Sequence, residues 1–196
     1  MIPDDNSVNI GRPRYHHGDL KAALVDAGLG LLAERRVEDV SLREVARRVG
    51  VSATAVYRHF PDKASLMRAL AEEGLARLAR AQHEAADAAG GGSAGFAATG
   101  RAYVRFALAN PALFRMIFAS PPLTASEESG KEVEAMAFLR ANAAAAVNDD
   151  PHSRAAWIRA VRAWSQVHGL AMLMLDGQIA PSDALIEEVI DPGSCT

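Results

Sequence analysis

The chain has 196 residues, 49% of them hydrophobic, enough apolar material for a buried core, which excludes a disordered chain. Its net charge of −3 conceals a division: residues 11–70 hold eleven Lys or Arg against seven Asp or Glu, leaving ten against seventeen elsewhere. A basic end on an acidic body points to a phosphate-binding module, and the want of a long apolar run or a basic-then-apolar leader points away from membrane spanning and secretion.

Residues 1–11 are polar and punctuated by Gly and Pro, and read as a mobile arm. Beyond them the chain reads as helical throughout, because Ala, Leu, Arg and Glu dominate and no alternating run of Val, Ile and aromatics occurs. A first helix is expected from about Gly18 to Glu34, with Leu20, Leu24, Ala27 and Leu31 on one face. Residues 41–60, SLREVARRVGVSATAVYRHF, then read as two short helices joined by a sharp turn, a helix-turn-helix. Ser41 is the cap of its first helix, whose apolar positions Leu42, Val45, Ala46 and Val49 recur at helical spacing. Gly50 supplies the backbone freedom of the turn and Val51 fills the corner. Ser52 caps the second helix, which carries Val56 inward and Thr54, Tyr57 and Arg58 elsewhere. Ala46 is small enough to let the two helices approach.

Pro61 and Asp62 start a long fourth helix, with Asp62 as cap and Leu66, Leu70 and Leu78 inward. The segment AAGGGSAG at 88–95 breaks it and reads as a flexible connection. A fifth helix from about Ser93 carries Phe96, Tyr103, Phe106 and Leu108. Asn110 and Pro111 form a cap-plus-proline start for a short sixth. SPPLTASEESG at 120–130 is a loop, and a seventh helix covers about Lys131 to Val147. Asp150 and Pro151 open an eighth by the same device. Its seam of Trp157, Val161, Trp164, His168, Ala171 and Leu175 has a period near that of a coiled coil, suited to packing against another helix. Pro181 precedes a last short helix with Leu185, Ile186, Val189 and Ile190. No internal repeat is present. The lone cysteine, Cys195, permits no internal disulfide and reads as a solvent-exposed bystander.

The run of YHHGDL at 15–20, the helix-turn-helix, VYRHFPDK at 56–63 and the leucine-rich start of the fourth helix resembles the amino-terminal domain of the tetracycline-repressor (TetR) family of bacterial transcriptional regulators. NPALFRMIF at 110–118 and WSQVHG at 164–169 are similar to a carboxy-terminal domain of some members, named for its Trp, His and Gly. The resemblance implies an all-α fold of about nine helices. A three-helix DNA-binding domain would occupy residues 12–62, with its helix-turn-helix at 41–60, and a helical effector-binding and dimerisation domain residues 63–196. It further implies a homodimer built on the last two long helices, bound to an inverted-repeat operator in double-stranded DNA. A small-molecule effector would alter DNA affinity, ordinarily by relieving repression. Activation, or a DNA-binding dimer without a ligand, are the alternatives.

A helix presented this way fits the major groove. Ser52, Ala53, Thr54 and Ala55, at its start, can reach base edges; Thr54 offers a hydrogen bond and the alanine methyls meet thymine methyls. Members of the family often carry Thr where Ala55 stands, so one polar contact is missing here. Tyr57, Arg58 and His59 position the helix, and the resemblance gives Tyr57 and Lys63 phosphate contacts. Arg43 and Arg47 are further candidates, Arg12 and Arg14 could reach an adjacent groove, and Arg48 reads as part of a solvated face. Phe60 belongs to the core. One such helix reads few base pairs, so two copies are needed, about 34–36 Å or a multiple apart.

For the effector, Tyr103, Phe106, Phe114, Phe118, Met136, Trp164 and His168 are the candidate pocket residues, with Met116, Phe138 and Trp157 as further large side chains; ordinary core packing competes for each. His168 stands mid-helix on an apolar seam beside Gly169, which would let another helix approach. His16 and His17 are an isolated pair without a cluster of further ligands, so no metal or cofactor is expected. No nucleophile has a spaced base and orienting acid, and no phosphate loop occurs, which argues against an enzyme.

Overall fold

The computed structural model describes the backbone of residues 20–119 and 134–191. The arm at 1–11, Arg12, Arg14, His16, His17, the segment at 120–130, the start of the seventh helix before Glu134 and Cys195 lie outside the described residues, as does the side chain of Met136. Nine α-helices and one short 3-10 turn make up the described structure, which contains no strand. In order these are α1 (Leu20–Glu34), the 3-10 turn (Val37–Asp39), α2 (Leu42–Val49), α3 (Ala53–His59), α4 (Lys63–Ala88), α5 (Gly92–Ala109), α6 (Pro111–Ala119), α7 (Glu134–Ala145), α8 (Arg154–Leu175) and α9 (Asp183–Val189).

Local signals set most helix ends. Ser41 accepts from the Glu44 amide at 3.2 Å and Ser52 from the Ala55 amide at 3.3 Å, each satisfying one orphan donor of a first turn. Asp62 and Ser65 form a reciprocal capping box at the start of α4. Between α2 and α3 Gly50 adopts φ +79°, a left-handed conformation open to glycine at no steric cost, and the Gly50 and Val51 amides both donate to the Ala46 carbonyl.

Three expectations about the connections are corrected. The segment at 88–95 is not a slack connection: α4 and α5 are joined by residues 89–91 alone, closed by hydrogen bonds from the Gly90 and Gly91 amides to Asp87 and Ala86. The Asn110 side chain does not cap α6 but donates backwards to the Phe106 carbonyl at 3.0 Å, finishing α5, while Pro111 begins α6 as expected. Helix α8 starts three residues after Pro151, because Ser153 is its cap and accepts from the Ala156 amide at 2.9 Å. Asp149 and Asp150 shape the turn before it by accepting from the amides of Asp150 and His152.

Two main cores result. The first joins Leu24, Leu31 and Leu32 of α1, Leu42, Val45 and Ala46 of α2, Val56 of α3, Leu66, Leu70 and Ala71 of α4, and Leu113, Met116 and Ile117 of α6. The amino-terminal core therefore runs past residue 62 into α4. The second gathers Leu78 of α4, Tyr103 and Val104 of α5, Phe114 of α6, Val167, Leu170 and Met174 of α8, and Ile186 and Ile190 around α9. A small third core joins Phe96, Ala143 and Ala160. Helices α4 and α6 thus contribute to both large cores. Gly74 is the notch that allows it: a Cβ there would lie 2.8 Å from both Leu113 and Ile117.

Candidate nucleic-acid interface

Helix α3 divides its residues cleanly. Val56 is fully buried and Phe60 is 2% exposed, whereas Tyr57 is 46% exposed. Thr54, Tyr57 and Arg58, spaced three and four residues apart, share the outer face, with Ser52 and His59 also exposed and Ala53 and Ala55 half-buried. Tyr57 therefore does not pack into the core, and Phe60 does, as expected. Arg43 lies exposed on α2.

Ion pairs sort the neighbouring arginines. Arg48 grips Glu34 through two hydrogen bonds of 2.6 and 2.8 Å, tying α2 to α1. Glu44 accepts from Arg47 at 2.7 Å and from Arg35 at 2.8 Å. These guanidinium groups hold the Glu34 and Glu44 carboxyls below their ordinary range. Arg47 and Arg48 are thus surface ion-pair partners, while Arg43 and Arg58 make no ion pair among the described residues. The exposed Lys63 ammonium donates to the carbonyls of Val37 at 3.1 Å and Glu38 at 2.8 Å.

In the second core, five of the candidate pocket residues come together from three helices. The Tyr103 ring stands edge-on to Phe114 at 5.4 Å, and Phe118 lies 4.8 Å from Phe114 and 5.0 Å from His168. Trp164 is 6.1 Å from His168. The Tyr103 hydroxyl is the hub: it accepts from Trp164 Nε1 at 3.2 Å and lies 2.9 Å from His168 Nδ1. The phenol can accept from the indole and donate to Nδ1 at the same time, an arrangement in which the neutral His168 carries its proton on Nε2. Burial lowers the His168 pKa and raises that of Tyr103, so both stay neutral near pH 7. Tyr103 and Phe114 are packed as core, and Phe118, Trp164 and His168 are half-buried at its edge.

Phe106 packs against both large cores without joining these ring contacts. It lines an open groove of about 440 Å³ between α4 and α5, floored by Ala81, Ala85, Ala98 and Ala102. Met116 belongs to the first core, and Phe138 stacks on His83 at 4.1 Å. Of the seam expected on α8, Ala171 is buried and Val161, Trp164, His168 and Leu175 are half-buried, Trp164 and Leu175 packing on the second core, while Trp157 is 37% exposed; Ala156, Ala160, Val167, Leu170 and Met174 are buried beside the seam. Among the described residues no helix packs on Gly169, since a Cβ there would meet nothing within 4 Å.

Two features lay beyond the sequence reading. Arg105 of α5 binds Asp183 at 2.9 Å and Glu187 at 2.8 Å, and Arg101 donates to the Ile190 carbonyl at 3.1 Å, so α9 is clamped to α5. Gly74 seats α6 on α4. Neither carries a local signal, because the partners lie far apart in the chain. Among the described residues no three His, Cys, Asp or Glu side chains gather as for a metal ion, and no helix is long and apolar enough to cross a membrane.

Comparison with known proteins agrees with this architecture. A family model described as "Bacterial regulatory proteins, tetR family" matches residues 24–70, and one described as "Tetracyclin repressor-like, C-terminal domain" matches residues 96–192. An uncharacterized HTH-type transcriptional regulator of Haemophilus influenzae is 40% identical over 74 residues, 36% of each chain. An HTH-type transcriptional regulator of Mycobacterium tuberculosis is 29% identical over 117 residues, 59% of this chain and 50% of that one. The chain therefore aligns with half or less of the length of these curated relatives. The solved structure of a protein of unknown function from Rhodococcus sp. RHA1 superposes with a TM-score of 0.75 at 33% identity, covering 92% of this chain and 96% of that one. Matched in both halves by models of one family, the chain belongs to the tetracycline-repressor (TetR) family of transcriptional regulators.

Proposed function

We propose that this protein binds an inverted repeat in duplex DNA as a homodimer and regulates transcription there. The observation that carries the reading is the outer face of α3: Thr54, Tyr57 and Arg58 are exposed on it, while Val56 and the Phe60 that follows the helix are buried in the first core. Thr54 reads base edges, while Tyr57, Arg58, His59 and Arg43 engage phosphates. A helix of seven residues reads few base pairs, so two copies related by a two-fold axis are required for useful specificity. The outward side of α8 supports the dimer: Ser165 and Leu173 are exposed there and Gly169 meets open space.

The protein acts as a repressor released by a small molecule. Phe118, Trp164 and His168, half-buried beside Tyr103 and Phe114, support an effector of apolar, aromatic character. Helix α6 offers the route for coupling, since Phe114 belongs to the aromatic cluster while Leu113 and Ile117 sit against Gly74 of α4. An effector that favours the spacing of α3 unsuited to DNA lowers operator affinity, and DNA weakens effector binding by the same factor.

Selection of bound duplexes from a random pool tests the reading, followed by competition with apolar aromatic compounds. Enrichment of a palindrome, and its release by one of those compounds, is the expected result. A pool without any enriched palindrome would remove the operator; enrichment that no compound reverses would leave a DNA-binding dimer without an effector.

A further inference from the structure

The hydrogen bonds among Trp164, Tyr103 and His168 run in one direction. An indole N–H can only donate, so Trp164 Nε1, 3.2 Å away, takes up a lone pair of the Tyr103 hydroxyl. Tyr103 is 4% exposed, and among the described residues His168 Nδ1, at 2.9 Å, is the one acceptor within reach of its proton. The reverse arrangement, with Nδ1 donating, would leave a buried hydroxyl proton unpaired at the full cost of its desolvation. Trp164 therefore sets the hydroxyl and the hydroxyl sets the tautomer of His168. The chain ends on an N–H at Nε2, on the side of the imidazole away from Tyr103. That N–H has no partner among the described residues, and water reaches it. We infer that the effector carries a neutral oxygen acceptor, of the ketone or amide carbonyl class, on an apolar aromatic body, and that His168 Nε2 donates to it.

The surroundings of the imidazole select this chemistry. Phe118 stands edge-on to it at 5.0 Å, with Phe114 at 5.6 Å and Trp164 at 6.1 Å. The same face of α8 continues through Val161, half-buried, to the exposed Trp157. Flat apolar groups pack against such rings, and a single fixed donor among them orients what packs. Tyr103, Phe114, Phe118 and Trp164 carry no charge, and burial lowers the His168 pKa, which keeps the imidazole neutral near neutral pH. A carboxylate placed here would give up water without gaining a counter-charge, whereas a carbonyl exchanges one bond to water for one from Nε2. A hydrocarbon of the same shape would cover the N–H and strand it.

The inference rests on the reading of this cluster as an effector site, and its test separates the two. The probes are benzophenone and acetophenone, each beside the alkene in which a methylene group replaces its carbonyl oxygen. Dissociation constants are measured on the full chain and on His168→Phe and Tyr103→Phe, with circular dichroism to establish that each variant is folded. Long-range proton–nitrogen NMR spectra report which ring nitrogen of His168 carries the proton, its signals being those missing from His168→Phe. The expected result is that each ketone binds about tenfold tighter than its alkene, with the proton on Nε2 and the Nε2 resonance moving when ketone is added. The preference vanishes in His168→Phe and shrinks in Tyr103→Phe, where the tautomer is no longer set. The wild-type comparison stands whether or not a variant folds. Equal affinities of ketone and alkene, an unmoved Nε2 resonance, or a proton on Nδ1 would overturn the inference while leaving an apolar effector site in place. Binding of none of the four compounds would overturn the inference and that site together.

Discussion

The Tyr103 hydroxyl and Nδ1 of His168, 2.9 Å apart, link the middle of α5 to the middle of α8 inside an aromatic cluster. The same oxygen accepts the Trp164 indole N–H at 3.2 Å. Tyr103→Phe keeps the ring and removes only this hub, leaving an imidazole acceptor and an indole donor without a partner. A loss of about 1–3 kcal/mol is expected, read as a lower melting temperature. An unchanged melting temperature would mean that solvent already satisfies both groups.

Acid should act through His168. Its folded pKa lies below the ordinary value of about 6.5 because burial disfavours the imidazolium. In the window below about pH 6.5 the unfolded chain binds this proton more readily than the folded one. The stability contributed by His168 is therefore fully present above that pH and is lost as pH falls through the folded value. Melting curves of the wild type should drop more steeply on acidification than those of His168→Gln; parallel curves would refute the assignment.

Gly74 should be intolerant of bulk. A Cβ at this position would come within 2.8 Å of Leu113 and Ile117, whose terminal methyls can yield a little. Gly74→Ala is expected to be near neutral, the gain in helix propensity of about 1 kcal/mol offsetting the repacking. Gly74→Leu should cost about 1–3 kcal/mol by forcing α6 away from α4. Because α6 also holds Phe114, this variant should show altered near-ultraviolet circular dichroism from the aromatic cluster as well as a lower melting temperature.

On α3, two substitutions should separate reading from positioning. Thr54→Ala is expected to alter preference at particular base pairs by about 1–3 kcal/mol, seen as a changed sequence logo in selected duplexes. Tyr57→Phe removes one exposed hydroxyl and should weaken specific and random duplexes alike, with stability held within about 0.5 kcal/mol. Matching effects of the two variants on every sequence would show that Thr54 does not read bases.

Leu173, 44% exposed near the end of α8, tests the dimer. A carboxylate in the centre of an apolar helix interface is costly to desolvate, so Leu173→Glu should shift sedimentation toward the monomer and abolish cooperative operator binding. An unaltered dimer would move the interface to another face.

Much of the architecture was readable because its signals are local. Ser41, Gly50, Ser52 and Asp62 cap or turn helices through atoms no more than three or four residues away, so their effect is written in the neighbouring sequence. The outward set of Thr54, Tyr57 and Arg58 follows from the helical repeat once Val56 is inside. Competing local signals are harder to rank: Asp150 and Ser153 are both good caps, and the hydrogen bond from Ala156 to Ser153 selects the second.

Packing between distant segments obeyed no such rule. The periodicity of α8 identifies an apolar stripe but not which edge of it meets α5, since that depends on the crossing angle and on side chains supplied by another helix. For that reason Trp157 lies outside while Ala156 and Ala160 lie within. The link from Lys63 to Val37 and Glu38, the seat of Ile117 on Gly74 and the clamp of Arg105 on Asp183 join residues dozens of positions apart. A hydrogen bond or a van der Waals contact acts over a few ångströms, so only the folded chain, by bringing such residues within reach, chose these partners.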